Sequence, residues 1–120
     1  MATAVKERRK PSQSPDPGLF TELMAKFYRG LGDPTRLRIL DHLVQKERTV
    51  SELVEILGSP QGRISSHLAC LRWCGFVTSR QSGHYVYYRV TDPRVRQLLA
   101  LGKEMVTANA EHIFACTRIR

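Results

Sequence analysis

The chain has 120 residues, of which 42% are hydrophobic and 25% charged, and its formal net charge is +8. This length allows one compact core rather than two, and no apolar run approaches the roughly 18 residues of a membrane-spanning helix. A chain this small and basic should attract a polyanion, and most of its charge lies outside the first 17 residues. Because the three cysteines are not preceded by an export signal, we expect reduced thiols in a cytoplasmic protein.

The N-terminal part of the chain divides into an arm and two helices. Residues 1–17 are rich in Lys, Arg, Pro and Ser and lack periodicity, which predicts a mobile basic arm ahead of a folded domain over 18–120. Apolar residues at three- and four-residue spacing predict a first helix over 19–31. A second helix should begin at Asp33-Pro34, since Asp is a good N-cap and Pro fits the first helical position.

Two shorter helices follow. Thr49 and Glu52 have the spacing of a capping box, which predicts the start of a third helix that stops at Gly58. Ser59-Pro60 repeats the signal of a cap followed by a proline and predicts a fourth helix, which ends near Cys74.

The hydrophobic period then changes. Segments 76–80 and 85–90 are rich in β-branched and aromatic residues and predict two strands, joined by a loop over 81–84. A last helix should run from Pro93 to about Cys116. The predicted fold is therefore mainly α with a small β-hairpin, in the order α-α-α-α-β-β-α.

Two short helices joined by a tight turn and followed by a hairpin are typical of a winged helix-turn-helix, in which the second of the two helices enters the major groove of DNA. The first turns of that helix should carry short polar or basic side chains that can contact base edges or phosphates. The candidate DNA-contacting residues there are Gln61, Gly62, Arg63, Ser65, Ser66 and His67. In the hairpin, Arg80 and His84 are candidates for contacts with the DNA backbone or minor groove.

Several segments resemble the ArsR/SmtB family of metalloregulators, over roughly residues 19–116. They are Gly32–Leu40 (GDPTRLRIL), Ser65–Leu68 (SSHL), Leu71-Arg72 with Gly75, and Arg80–Tyr88. The resemblance implies a homodimer whose first and last helices form the interface. It also implies repression of a metal-efflux or detoxification operon through double-stranded operator DNA with an inverted repeat. Gly62 falls where the family often has Ser or Thr, so a hydroxyl contact is expected to be absent.

The cysteines predict a metal effector. Cys70 and Cys74 lie four residues apart on the fourth helix, which places two sulfurs on one helix face. Two thiolates select soft metals over Mg or Ca. Cys116 falls on the same side of the last helix as Met105 and Ile113, the stripe expected to face a partner subunit, and is the candidate third ligand, from the same or the other subunit.

A thiol pair with a remote third ligand resembles the cadmium- and lead-sensing branch of the family. We therefore expect a repressor that leaves DNA when a soft heavy-metal ion binds its cysteines. The candidate ions are Cd, Pb and Hg, with As(III) as a further candidate.

Other interpretations of the same residues stay open. The cysteines can be small core residues, and His112 with Cys116 has the spacing of a zinc-binding pair. The whole chain can also be an oxidant-sensing repressor, or a metal-independent DNA-binding protein with little sequence preference. We expect no enzyme, because the sequence has no phosphate loop, no H-E-x-x-H motif and no recognisable nucleophile–base pair.

Overall fold

A computed structural model describes residues 16–120, so the predicted mobile arm lies, up to residue 15, outside the described residues. The elements are α1 (Pro17–Leu31), α2 (Pro34–Gln45), α3 (Val50–Leu57), α4 (Gln61–Trp73), β1 (Thr78–Ser82), β2 (Tyr85–Arg89) and α5 (Pro93–Ala115). This order confirms the predicted α-α-α-α-β-β-α arrangement. The chain divides into two compact units, one ending at Asp33 and the other comprising Pro34–Arg120. That one domain extends over all of 18–120 stays a prediction.

Helix α1 begins two residues earlier than its hydrophobic pattern indicates. The Asp16 carboxylate accepts a hydrogen bond of 2.9 Å from the backbone N–H of Leu19, and Pro17 occupies the first turn, where its missing N–H costs nothing. None of the side chains of α1 is buried. The large apolar side chains that it leaves exposed are Phe20, Leu23, Met24, Phe27 and Tyr28.

The core of the second unit is formed by the apolar faces of α2, α3 and α4, together with the two residues before β1 and one side chain of α5. Its buried residues are Ile39, Leu40, Leu43, Leu53, Leu57, Ile64, Leu68, Leu71, Phe76, Val77 and Val95. One face of α4 is fully buried, since Ile64, Leu68 and Leu71 are each at most 1% exposed. This burial fixes which face α4 turns outwards.

The caps of α3 and α4 determine where these two helices begin and where α3 ends. The capping box is present: the Thr49 hydroxyl accepts from the N–H of Glu52, and the Glu52 carboxylate accepts from the N–H of Thr49. Helix α3 ends at Gly58, whose φ of 69° is the left-handed conformation that glycine adopts without steric cost. The predicted cap at Ser59 is wrong, because the N-cap of α4 is Pro60 and no side chain caps this end.

Strands β1 and β2 form an antiparallel hairpin in which Arg80 is paired with Tyr87. The connecting turn has two residues rather than the predicted four, because Gly83 adopts a φ of 62° and lets Ser82 pair directly with Tyr85. Arg48 extends this sheet on the other side of β2. Its N–H donates to the Tyr88 carbonyl at 3.0 Å, and the Tyr88 N–H donates to the Arg48 carbonyl at 2.8 Å.

Helix α5 begins at Pro93, after Asp92 as N-cap, and Cys116 is its C-cap. The helix is kinked at Asn109, whose φ of −126° and ψ of 22° are not helical. Beyond Ala100 every residue of α5 is exposed in the single chain. Among residues 16–120, no helix has the length and the apolar character needed to cross a membrane.

Candidate DNA-reading surface and thiol pair

The outward face of α4 carries the residues predicted to contact DNA. Gln61, Gly62, Arg63, Ser65 and Ser66 are all exposed, while the opposite face of the helix is buried in the core. The first N–H groups of any helix have no acceptor within it, and here no side chain supplies one. This end of α4 therefore offers amide donors, exposed hydroxyl groups and the Arg63 guanidinium on one surface, which suits a phosphate and the edges of bases.

His67 has a contact within the protein. Its ring is half-buried, and Nδ1 accepts a hydrogen bond of 2.9 Å from Nε of Arg36 on α2. The contact requires an unprotonated Nδ1 and links α4 to α2. His67 therefore helps to hold the helix in place, a role that sequence reasoning missed, and its contact with DNA stays a prediction.

Arg80 also has partners within the protein that the sequence did not indicate. Its Nε donates to Oε1 of Glu47 at 2.9 Å, a second guanidinium nitrogen binds Oε2, and the guanidinium lies 4.8 Å from the centre of the Tyr87 ring. The hydrogen bond to Arg80 and the nearby charges of Arg80 and Arg89 lower the pKa of Glu47, and the same pair raises the pKa of Arg80. The bidentate pair holds Arg80 on one face of the hairpin.

The second hairpin candidate, His84, lies at the tip of the hairpin. His84 occupies the second position of the two-residue turn and is exposed. The two hairpin candidates thus differ: His84 projects from the tip, whereas Arg80 is held by Glu47 nearer the base. A DNA contact by either residue stays a prediction.

Cys70 and Cys74 lie on successive turns at the C-terminal end of α4. Cys70 is half-buried within the helix, and Cys74 is the exposed C-cap, whose N–H donates to the Cys70 carbonyl at 3.0 Å. Both are thiols, as is Cys116, which is exposed at the C-terminal end of α5. One helix therefore carries the DNA-reading candidates at its start and two thiols at its end.

The three cysteines do not form a site within one chain. Across residues 16–120 no group of three His, Cys, Asp or Glu side chains lies close enough to hold a metal ion. Cys116 therefore does not complete a group with Cys70 and Cys74 in the described chain, and its ligation from the same or the other subunit stays a prediction. The same finding leaves His112 and Cys116 without a third ligand of this kind in the described chain.

The helix that carries Cys116 is kinked at Asn109. The predicted placement of Cys116 on the face of Met105 and Ile113 assumes one regular helical period along the last helix. The Asn109 amide nitrogen donates to the Met105 carbonyl at 3.0 Å, and the helix departs from regular geometry at that residue.

Comparisons with known proteins agree with this fold. The family described as "Bacterial regulatory protein, arsR family" matches residues 33–79, the segment from the start of α2 into β1. The chain is 45% identical over 95 residues to a probable mercury resistance operon repressor of Streptomyces lividans, covering 79% of this chain and 76% of that protein. It is 35% identical over 85 residues to the HTH-type transcriptional regulator CmtR of Mycobacterium bovis, covering 71% and 72%.

A solved structure extends the similarity to three dimensions. The homodimeric winged helix-turn-helix DNA-binding domain of Mb0332 from Mycobacterium bovis superimposes with a TM-score of 0.73 at 31% identity. The match covers 83% of this chain and 93% of that domain. The winged helix-turn-helix predicted from the sequence is thereby confirmed.

Proposed function

Because this chain belongs to the ArsR family of bacterial regulatory proteins, we propose that it is a homodimeric repressor that a soft metal ion releases from operator DNA. The family and its named relatives are transcriptional regulators, which supports a role other than catalysis. The observation that carries the metal part of the proposal is the position of Cys70 and Cys74 on the same helix as the DNA-reading surface.

The DNA part of the proposal rests on the exposed start of α4. Gln61 and Arg63 can each make two hydrogen bonds to a base edge in the major groove, and Ser65 and Ser66 can bind phosphates. His84 at the hairpin tip would contact the flanking backbone or minor groove. In a homodimer two such helices would meet an inverted repeat, with half-sites about one duplex turn apart.

The homodimer is supported by the apolar side chains that α5 leaves exposed in the single chain. Leu101, Met105, Val106 and Ile113 are between 50% and 66% exposed. A run of such side chains along one helix is unusual on a monomer and marks an interface. The homodimeric state of the Mb0332 domain supports a second copy of this chain as the partner.

The two thiols of α4 supply part of a site for a soft metal ion. Cys70 and Cys74 are suitably spaced to supply two thiolates, which select Cd, Pb, Hg or As(III) over hard cations. A third thiolate would complete the site, and Cys116 of the second copy is our candidate, since Cys116 does not group with Cys70 and Cys74 in the described chain. Metal binding would favour a dimer shape that fits the operator less well, and DNA would then weaken metal binding by the same factor.

The test is an operator-binding titration against these ions with single cysteine variants. Cys70→Ser and Cys74→Ser should bind DNA as the wild type does and should lose most of the metal response, because each removes a ligand but no DNA-reading side chain. Typical coupling energies of about 1–3 kcal/mol predict a loss of roughly 5- to 150-fold in the metal-induced change of affinity. Ala69→Ser, an exposed neighbour on the same helix, is the matched control and should change neither property.

Metal binding itself can be followed without DNA. Trp73 is the only tryptophan of the sequence, is 89% exposed and precedes Cys74, so ligation should change its fluorescence. Cys116→Ser should weaken this response if the second copy supplies the third ligand. A full metal response in both Cys70→Ser and Cys74→Ser would overturn the site, and a response to peroxide but not to metals would favour the oxidant-sensing alternative.

A further inference from the structure

A basic recess lies at the base of the hairpin, apart from both the exposed face of α4 and the thiols. It has a volume of about 390 Å³ and lies between the C-terminal end of α2, the hairpin and the first turns of α5. Its charged lining residues are Lys46, Glu47, Arg80, Arg89 and Arg96. Four cationic groups therefore share this recess with one carboxylate.

The single carboxylate is already used. Glu47 binds Arg80 through both of its oxygens, so this pair contributes little net charge to the recess. The side chains of Lys46 and Arg89 form no hydrogen bond or close ion pair with any residue of the described chain. Three positive charges, on Lys46, Arg89 and Arg96, remain without a matched acid in the recess.

One of these groups is held in place. An Nη of Arg96 donates a hydrogen bond of 2.9 Å to the carbonyl of Val44 on the wall of the recess. This bond uses one of the five N–H donors of the guanidinium and leaves the others for a ligand. A fixed arginine that presents spare donors is well suited to planar or tetrahedral oxyanions.

The recess is on the opposite side of the hairpin from the DNA-reading helix. Neighbouring residues of a strand point to opposite faces, and Ser79, next to Arg80, accepts a long hydrogen bond of 3.5 Å from Arg72 at the end of α4. Arg80 and its cross-strand partner Tyr87 share the other face, as do Thr78 and Arg89. A ligand in the recess is therefore separate from the bases that α4 would read.

We propose that this recess binds a phosphate group or a similar oxyanion through Lys46, Arg89 and Arg96. The volume lies within the range of small-ligand sites, about 300–1,000 Å³, and the net charge favours an anion. Two sources share this chemistry: a free phosphate compound, and a phosphate of duplex DNA beyond the half-site contacted by α4. The second source rests on the proposed function, whereas the first does not.

The first arm of the test uses the full-length protein and inorganic phosphate without DNA, at constant ionic strength. The side-chain Nε–H signals of Arg89 and Arg96 in ¹H–¹⁵N spectra should shift and saturate. Arg89→Gln and Lys46→Gln should each weaken the binding several-fold, and Arg96→Lys should retain the charge but lose the guanidinium donors. Arg118→Gln, an exposed arginine outside the recess, is the control and should behave as the wild type.

The second arm compares two duplexes, one that ends at the half-sites and one that extends about one helical turn beyond them. If a DNA phosphate occupies the recess, Arg89→Gln should lower the slope of log K against log salt by about 0.9 on the long duplex only. A response in either arm supports the proposal and identifies the source. Equal phosphate binding by the wild type and the recess variants, with unchanged salt slopes on both duplexes, would overturn it.

Discussion

Asp92 shows how one residue at the start of α5 links folding to pH. Its carboxylate accepts the backbone N–H of Arg94 at 2.9 Å and also binds the Arg94 guanidinium, with a shortest distance of 2.7 Å. The side-chain hydrogen bond, followed by the backbone one, lowers the pKa of Asp92 from 3.8 to about 2. Between these values the unfolded chain binds more protons than the folded one, so the stabilisation is present above pH 3.8 and is lost as the pH falls through about 2.

Asp92→Asn should remove this dependence on pH, because Asn is an equally good N-cap but does not titrate. The difference in free energy of unfolding between wild type and variant should be larger at about pH 5 than at about pH 2. Urea unfolding followed by circular dichroism at the two pH values measures it. If the wild type and the variant differed in free energy of unfolding by the same amount at the two pH values, the Asp92–Arg94 pair would not stabilise the folded state.

The sequence predicted which side chains would matter at single positions, but not which residues they would contact. Arg80 and His67 were chosen because they stand on the hairpin and on the reading helix. Their partners, Glu47 and Arg36, lie 33 and 31 residues away along the chain. Such pairs depend on how the elements pack, which local spacing does not encode.

The capping box of α3 supports the element that leads into the reading helix. Thr49→Ala removes the hydroxyl that accepts the N–H of Glu52, and we expect a loss of about 1 kcal/mol in the free energy of unfolding. Ser51→Ala is the matched control, since Ser51 is exposed on the same helix and should change stability little. Chemical denaturation of the two variants measures the difference, and equal values would mean that the box contributes nothing.

Gly62 is a glycine of α4 that the fold itself does not require. A Cβ at this position would meet no atom within 4 Å, and its φ is not positive. Gly62→Ala should therefore raise the free energy of unfolding by up to about 1 kcal/mol, since Ala is the better helix former. The opposite change at an exposed site on the same helix, Ala69→Gly, should lower it by a similar amount.

The same two variants test whether DNA approaches the backbone of α4 at Gly62. Weaker operator binding by the more stable Gly62→Ala protein would indicate a close approach that a methyl group obstructs. A drop in its stability would instead show that the glycine has a structural role.

The element boundaries show which local signals are sufficient. Side-chain chemistry placed the start of α3 at Thr49, and Pro93 correctly marked the start of α5. Ser59 offered the same kind of signal but does not cap α4, because Pro60 takes that position. The hairpin turn was predicted too long because Gln81 and Ser82, polar as a loop would be, pair with Val86 and Tyr85.

At the scale of the whole molecule, the arrangement of the three thiols could be predicted from the sequence only in part. The spacing of Cys70 and Cys74 fixed their relation, since both belong to one helix. The position of Cys116 relative to them depends on the packing of two elements and, in the proposed site, on a second chain. The fold was therefore predictable from local patterns, whereas the convergence of the ligands was not.

The exposed face of α5 gives the corresponding prediction for the assembly. Met105 is 66% exposed and Val106 52% exposed, so covering them against a second copy would bury apolar surface that one chain leaves in water. Met105→Glu places a charge in that interface, which is costly to bury without a partner. Sedimentation should show the wild type at twice the 13.7 kDa chain mass and the variant shifted towards the monomer.

Ala100→Glu adds the same charge to an exposed position of α5 outside the apolar stripe, and it should leave the dimer intact. Because dissociation separates the two reading helices, Met105→Glu should also weaken operator binding and make it steeply dependent on protein concentration. The loss should exceed that of the control, although both variants add one negative charge to α5. A Met105→Glu protein that remains dimeric would place the interface elsewhere, and a monomeric wild type that binds an inverted repeat tightly would contradict the homodimer itself.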